Sequence, residues 1–135
     1  MIKYMLDTNI VIYTMKNKPA HMKELFVQRQ GQMCVSTITS MELFYGAEHS
    51  QNPKQNLAAV EGFLARLDVL DYDTASAANT GQLRSELRKA GTPIGPYDGL
   101  IAGHARSLGL ILVTNNVKEF ERVAGLRIEN WAERT

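Results

Sequence analysis

Between Gly109 and Thr114-Asn115-Asn116 the chain reads Leu110-Ile111-Leu112-Val113, four apolar residues in a row with no polar alternation. A strand of this kind has no face that tolerates water, so it belongs inside a parallel sheet covered by helices on both sides. Parallel neighbours are joined by helical crossovers, and the rest of the chain supplies both parts. Short strands are predicted at 2–6, 33–36, around Val69-Leu70 and over Leu126–Ile128. Met22, Leu25 and Phe26 mark a helix over 20–29. Leu57, Val60, Phe63, Leu64 and Leu67 mark another after Asn52-Pro53. Further helices are expected over 8–15, from Thr39, over 73–90, from Tyr97 to about Leu108 and over 117–123. The β-branched run Ile10-Val11-Ile12 works against the first of these. Strands alternating with helices predict an α/β fold, three layers with a mostly parallel central sheet, and no linker divides residues 1–135.

Composition narrows the function classes. Fifteen Lys+Arg against fourteen Asp+Glu give a net charge of +1. That excludes a strongly basic nucleic-acid coat and an acidic disordered tail, but not a local basic patch. Cys34 is the one cysteine, so no intrachain disulfide is needed. No apolar run reaches the ~18 residues of a membrane span, and Asp7 follows too soon for a signal peptide. A single cytoplasmic domain with no membrane contact is expected.

In an open parallel sheet, functional groups gather beyond the carboxyl ends of the strands. Asp7 follows the first strand, Glu42 lies just into the helix after the second, and Thr114 and Asn116 follow Leu110–Val113. Asp98 opens a helix behind the stiff loop Gly91-Thr92-Pro93-Ile94-Gly95-Pro96. Each has a plain structural alternative. Asp7 suits a helix N-cap, Thr39-x-x-Glu42 fits a capping box, Asp98 suits a helix dipole, and Asn116 suits a turn. Taken together, carboxylates gathered at one sheet end repel, and each needs a raised pKa or a cation. Oxygen ligands without a suitably spaced His or Cys favour Mg²⁺, with Mn²⁺ as a substitute, over zinc. Such a site permits metal-dependent hydrolysis of a phosphodiester.

Four blocks carry a resemblance: Met5-Leu6-Asp7-Thr8-Asn9, Ser40-Met41-Glu42-Leu43-x-x-Gly46-Ala47, Pro96-Tyr97-Asp98-x-x-Ile101-Ala102-x-His104-Ala105, and Val113-Thr114-Asn115-Asn116-x-x-Glu119-Phe120. In this order, and over essentially the whole chain, they resemble the PIN-domain nucleases, and among them the VapC toxins of VapBC toxin–antitoxin pairs. The resemblance implies a PIN-like α/β/α fold over 1–135 and a Mg²⁺-dependent endoribonuclease. The implied target is tRNA, with initiator tRNA cut in its anticodon stem-loop to inhibit translation. It implies a homodimer that a VapB-type antitoxin silences in a larger complex by way of a groove on the N-terminal helices. Carried over by position, Asp7, Glu42 and Asp98 are the acidic site residues, with Asp7 and Asp98 on the metal. Thr8, Asn9 and Thr114 support them. The fourth acidic position falls on Asn116, an amide that still offers an oxygen and is taken as the fourth catalytic residue; Glu119, one helical turn further on, is the alternative that would restore the charge, and is placed in a supporting role.

Other residues read more plainly. His21, His49 and His104 share no ligand spacing, and His104 reads as a packing histidine; Cys34 reads as inert core. Lys16, Lys18, Arg84, Arg88, Arg106 and Lys118 are candidate phosphate contacts, or a solvated face. An aspartyl phosphatase would need an acid two residues after Asp7, where this chain has Asn9. A module that binds RNA or protein, with its carboxylates serving only as caps, also stays open. If the three acids form one pocket, the remainder of the chain has eleven acids against fifteen bases.

Overall fold

The computed structural model describes residues 1–133. Five strands form one sheet: β1 (Tyr4–Leu6), β2 (Met33–Ser36), β3 (Asp68–Leu70), β4 (Ile111–Val113) and β5 (Ile128–Glu129). Their order is β3-β2-β1-β4-β5 and every pairing is parallel. The apolar strand β4 is interior as expected, paired with β1 through Met5↔Leu112 and with β5 through Leu112↔Ile128. The helices are α1 (Thr8–Lys16), α2 (Met22–Gln28), α3 (Thr37–Glu48), α4 (Pro53–Leu64), α5 (Thr74–Lys89), α6 (Pro96–Leu108) and α7 (Val117–Phe120).

Alternation along the strands splits the core in two. Tyr4, Leu6, Val35 and Val113 face Ile10, Met22, Phe26, Leu43, Val60 and Phe63 from α1–α4. Met5, Cys34 and Leu112 face Leu83, Leu87, Ile101, Ala102 and Ala105 from α5 and α6, with Phe120. This is the three-layer α/β/α arrangement. The chain adds strands in one direction as far as β3, then returns to the other side of β1, so the crossovers diverge between β1 and β4. That divergence opens a crevice at the carboxyl ends of these two strands.

Several local expectations shift. Strand β1 begins at Tyr4 rather than residue 2. Helix α4 begins at Pro53, whose fixed φ and missing N–H suit a first turn. Helix α7 stops at Phe120, and β5 lies at 128–129. Helix α1 forms despite its β-branched residues because Ile10, Val11 and Thr14 are buried and Asp7 caps it. The Thr39 capping box does not form. Helix α3 starts two residues earlier, with the Ser36 hydroxyl accepting from Ile38 N at 3.1 Å.

Candidate active site

Asp7 stands at the crevice, where β1 becomes α1. It is the N-cap, with Oδ1 accepting from Ile10 N at 2.8 Å, and it is only 3% exposed. A cap on the surface would keep an ordinary carboxylate pKa. Here burial dominates and pushes the Asp7 pKa up to about 6, with the Glu42 carboxylate adding to the rise. Hydrogen bonds from Thr114 and Ile10 oppose the shift without cancelling it. Asp7 is therefore both cap and functional candidate, and the two readings are not alternatives.

Glu42 lies in the second turn of α3, released from any capping duty by the earlier helix start. The Thr8 hydroxyl donates to its Oε1 at 2.7 Å and lies 3.2 Å from the Thr39 hydroxyl. Thr8 thus ties the start of α1 to α3 and aims Glu42 toward Asp7. Asn9, beside it, is exposed.

Asp98 arrives from the opposite layer, in the first turn of α6 behind the Gly95 cap. Burial and then the charges of Glu119, Asp7 and Glu42 push its pKa up to about 6, and a hydrogen bond to Glu119 adds to this. The convergence of Asp98 with the other two acids, only inferred from the sequence, is present.

The TNN segment divides its labour by residue. Thr114 is fully buried; its hydroxyl accepts from Asn116 N at 3.0 Å and hydrogen-bonds Asp7. The Asn116 amide donates to Glu119 Oε2 at 2.7 Å, and Gly95 N donates to Glu119 Oε1 at 2.8 Å. Glu119 is thus held at both oxygens beside Asp98, while Asn116 spends its amide on holding it. A Cβ on Gly95 would come within 3.5 Å of Glu119 Oε1 and 3.7 Å of Asp98 Oδ2, so the loop backbone passes close over the acidic pair.

Four carboxylates therefore face one crevice, and among the described residues no lysine or arginine is a hydrogen-bond partner of any of them. Among the described residues no three His, Cys, Asp or Glu side chains stand so that they could hold one metal ion together as they are placed. The donor set nonetheless fits a hard divalent cation. It is all oxygen, its aspartates are held up in pKa by burial and mutual repulsion, and a cation relieves both.

Of the basic candidates, Lys16, Lys18, Arg84 and Arg88 are exposed. Arg106 is not available: it bridges Glu86 at 3.2 Å and donates to Gln82 and to the Ala124 carbonyl. A long side chain on a packed helix found local acceptors, which sequence spacing does not reveal. His104 is 1% exposed, with Nδ1 2.8 Å from the Ser36 hydroxyl and an edge contact to Tyr72, so it is a packing residue. Cys34 is fully buried and its thiol is pushed up to about 12 by burial. The residue that sequence reasoning missed is Asn115, buried at the carbonyl end of its amide and bonded to the Tyr13 hydroxyl.

Comparisons with known proteins agree with this arrangement. The PIN domain family matches residues 4–126. The chain is 63% identical to the tRNA(fMet)-specific endonuclease VapC of Shigella flexneri, covering 98% of this chain and all of the relative. It is 56% identical to ribonuclease VapC2 of Haemophilus influenzae, over 97% and 99% of the two chains. Its fold superposes on the DNA-bound VapBC of Salmonella typhimurium with a TM-score of 0.93 at 61% identity, over 97% and 99% of the chains. An acidic crevice at the β1/β4 divergence, built from the four sequence blocks in order, and these likenesses over nearly the full length place the chain in the VapC group of the PIN-domain family.

Proposed function

We propose that this chain is the endoribonuclease toxin of a VapBC pair, acting as a single PIN domain over 1–135, and that it hydrolyses a phosphodiester bond of tRNA(fMet). The observation that carries the reading is the meeting of Asp7, Glu42, Asp98 and Glu119 in one crevice, in a chain 63% identical to a tRNA(fMet)-specific endonuclease. Asp7 and Asp98 would hold the divalent cation, Mg²⁺ or Mn²⁺ in its place, with Glu42 and Glu119 as the neighbouring oxygen donors. When bound, the cation supplies Lewis acidity and neutralises charge on the phosphate. The chain's own groups do the rest. Thr8 and Thr39 orient Glu42, Asn116 and Gly95 N–H fix Glu119, and Thr114 fixes Asp7. Asp98 and Glu119 are hydrogen-bonded carboxyl to carboxyl; once the proton they share is released to solvent as a cation is bound, Glu119 would be free to accept the proton that the attacking water loses. Hydrolysis leaves a 5′-phosphate and a 3′-hydroxyl, and the substrate's 2′-hydroxyl is not needed as nucleophile.

A VapB-type antitoxin is the partner. An apolar groove of about 460 Å³ between α1, α3 and α4, lined by Ile12, Met15, Leu43 and Val60, ends at Glu42. An antitoxin segment laid in it delivers a cationic side chain to the carboxylates. The working form is a homodimer in the cytoplasm; among the described residues no helix is long and apolar enough to cross a membrane. The two alternatives fare worse. The acid required of an aspartyl phosphatase is Asn9, exposed and turned to solvent. A binding module with capping carboxylates gives no reason for Glu42, which caps nothing.

The test is cleavage of a tRNA(fMet) transcript by the purified chain with Mg²⁺, with EDTA, and by Asp7→Asn, which keeps the cap and removes the charge. Cleavage should need Mg²⁺ and fall at least about 10³-fold in the variant. Equal cleavage by wild type and Asp7→Asn would remove the carboxylates from the mechanism, and no cleavage of any tRNA by the wild type would remove the function.

A further inference from the structure

Asn115 sits between two site residues and belongs to neither of their networks. Thr114 turns to Asp7 and Asn116 to Glu119, whereas the Asn115 amide points to the opposite side and donates to the Tyr13 hydroxyl at 3.0 Å. Its Oδ1 is buried without a hydrogen-bond partner. Either orientation of an amide here leaves one polar end unpaired, because a single hydroxyl satisfies only one of the two. An unpaired buried amide end costs about 1–3 kcal/mol, which is why native structures keep few of them.

The two residues open onto a cleft of about 610 Å³ lined by Ile12, Tyr13, Lys16, Lys18, Asn115 and Asn130. Lys16 is the last residue of α1 and Lys18 follows its left-handed Asn17 cap, so both ammonium groups come to one rim. Among the described residues neither lysine has an acid within salt-bridge distance. Glu133, exposed, also borders the cleft and leaves it with a positive balance. Cations at the rim and the Tyr13 hydroxyl on the wall, held in place by the Asn115 amide, are groups a nucleotide can use: the cations for its phosphate, the hydroxyl for its nucleoside edge.

We propose that this cleft is a subsite for one nucleotide of the substrate strand next to the scissile bond, its phosphate on Lys16 and Lys18 and its nucleoside edge on the Tyr13 hydroxyl, which the Asn115 amide positions. The inference rests on the ribonuclease reading and names how that site grips its strand. Arg84 and Arg88 border a separate cleft against Pro93 and Ile94, on the far side of the 91–95 loop. They are the competing path for the strand.

The test is binding, made independent of cleavage. Fluorescence anisotropy with a labelled tRNA(fMet) transcript in EDTA gives Kd over a series of salt concentrations for five proteins. These are the wild type, Lys16→Ala/Lys18→Ala, Asn115→Ala and Arg84→Ala/Arg88→Ala; Tyr13→Phe, which keeps the ring in place, serves as a second nucleoside-edge variant. Thermal unfolding checks that each is folded. The double lysine variant should bind about tenfold more weakly and lose about 0.7 from the slope of log Kd against log salt, one single-strand phosphate contact. Asn115→Ala should weaken binding several-fold with the slope unchanged, and Tyr13→Phe in the same direction. Wild-type affinity in the lysine variant, with or without a loss in Arg84→Ala/Arg88→Ala, overturns the proposal, as does the absence of any wild-type binding. Unchanged affinity in both Asn115→Ala and Tyr13→Phe overturns its nucleoside half. A wild type that binds in EDTA but cleaves nothing with Mg²⁺ defeats the ribonuclease reading alone.

Discussion

Glu119 and Asn116 show how one hydrogen bond redistributes roles along a motif. Sequence position assigns the fourth acid to Asn116, but its amide donates to Glu119 Oε2, and Glu119 is the group beside Asp98. Glu119→Gln is expected to lower kcat for tRNA(fMet) cleavage 10- to 100-fold, as the loss of one charge from the cation's surroundings. Asn116→Ala, which frees rather than neutralises Glu119, should cost less, about 3- to 10-fold, and part of that should be recovered at higher Mg²⁺. A larger loss in Asn116→Ala than in Glu119→Gln would return the acidic role to position 116. Asp7 makes a second prediction, about stability. Its pKa is raised in the folded state from 3.8 to about 6. Its stabilising contribution is therefore complete below about pH 3.8 and is lost as pH rises through about 6. Asp7→Asn keeps the cap and discards that penalty. The metal-free variant should be more stable than wild type by on the order of 2 kcal/mol at pH 7.5 and nearly equal to it at pH 4. Calorimetry across that range in EDTA decides it, and a constant difference at all pH values would rule out titration as the cause.

At the scale of elements, α5 and α6 form the tightest helix pair, and a glycine makes it possible. A Cβ on Gly103 would collide with Thr80, coming within 2.8 Å of its backbone N and Cα. The contact sets how deeply α6 lies against the sheet and so where Asp98 is delivered. Thr80 is itself held by the Tyr72 hydroxyl at 2.8 Å. Gly103→Ala should destabilise the chain by about 1–3 kcal/mol through overpacking and should lower activity more than that loss of folded protein explains. Thermal unfolding and cleavage by equal amounts of folded protein separate the two effects. Much of this element was legible: Gly99 and Gly103 on an apolar helix announce close packing. The partner was not, because a glycine specifies that something comes near and leaves open what does. The start of α3 was misread for a related reason. Ser36 and Thr39 are both good caps, and the register of β2 in the sheet, not intrinsic preference, selects Ser36.

For the molecule as a whole, the proposed cation binding would be coupled to folding through the acidic crevice. Burial of both aspartates, with the charges of the neighbouring carboxylates adding to it, raises both pKa values to about 6, so the metal-free protein carries repulsion at neutral pH. Millimolar Mg²⁺ should raise the Tm at pH 7.5 by several degrees. The rise should be much smaller at pH 5, where the aspartates bind protons in its place, and absent in Asp7→Asn. A Tm increase of equal size at both pH values would place the binding elsewhere. The near-zero net charge is then a sum over two surfaces, an acidic crevice and the basic rims formed by Lys16 with Lys18 and by Arg84 with Arg88.

The sequence alone determined the architecture and the chemistry on offer. Leu110–Val113 demanded a sheet covered on both faces, and hydrophobic periodicity placed the helices. Asp7, Glu42 and Asp98 stood out as acids at strand and helix ends, because these patterns follow from local geometry and solvent exclusion. Only the tertiary structure decided which acids meet, since that depends on the strand order around β1. It decided that Glu119 rather than Asn116 faces Asp98, that Arg106 is consumed by Glu86, and that Asn115 keeps an unpaired amide end. Each of those outcomes is a competition among partners brought together from distant parts of the chain, and no residue's type or spacing states in advance who wins it.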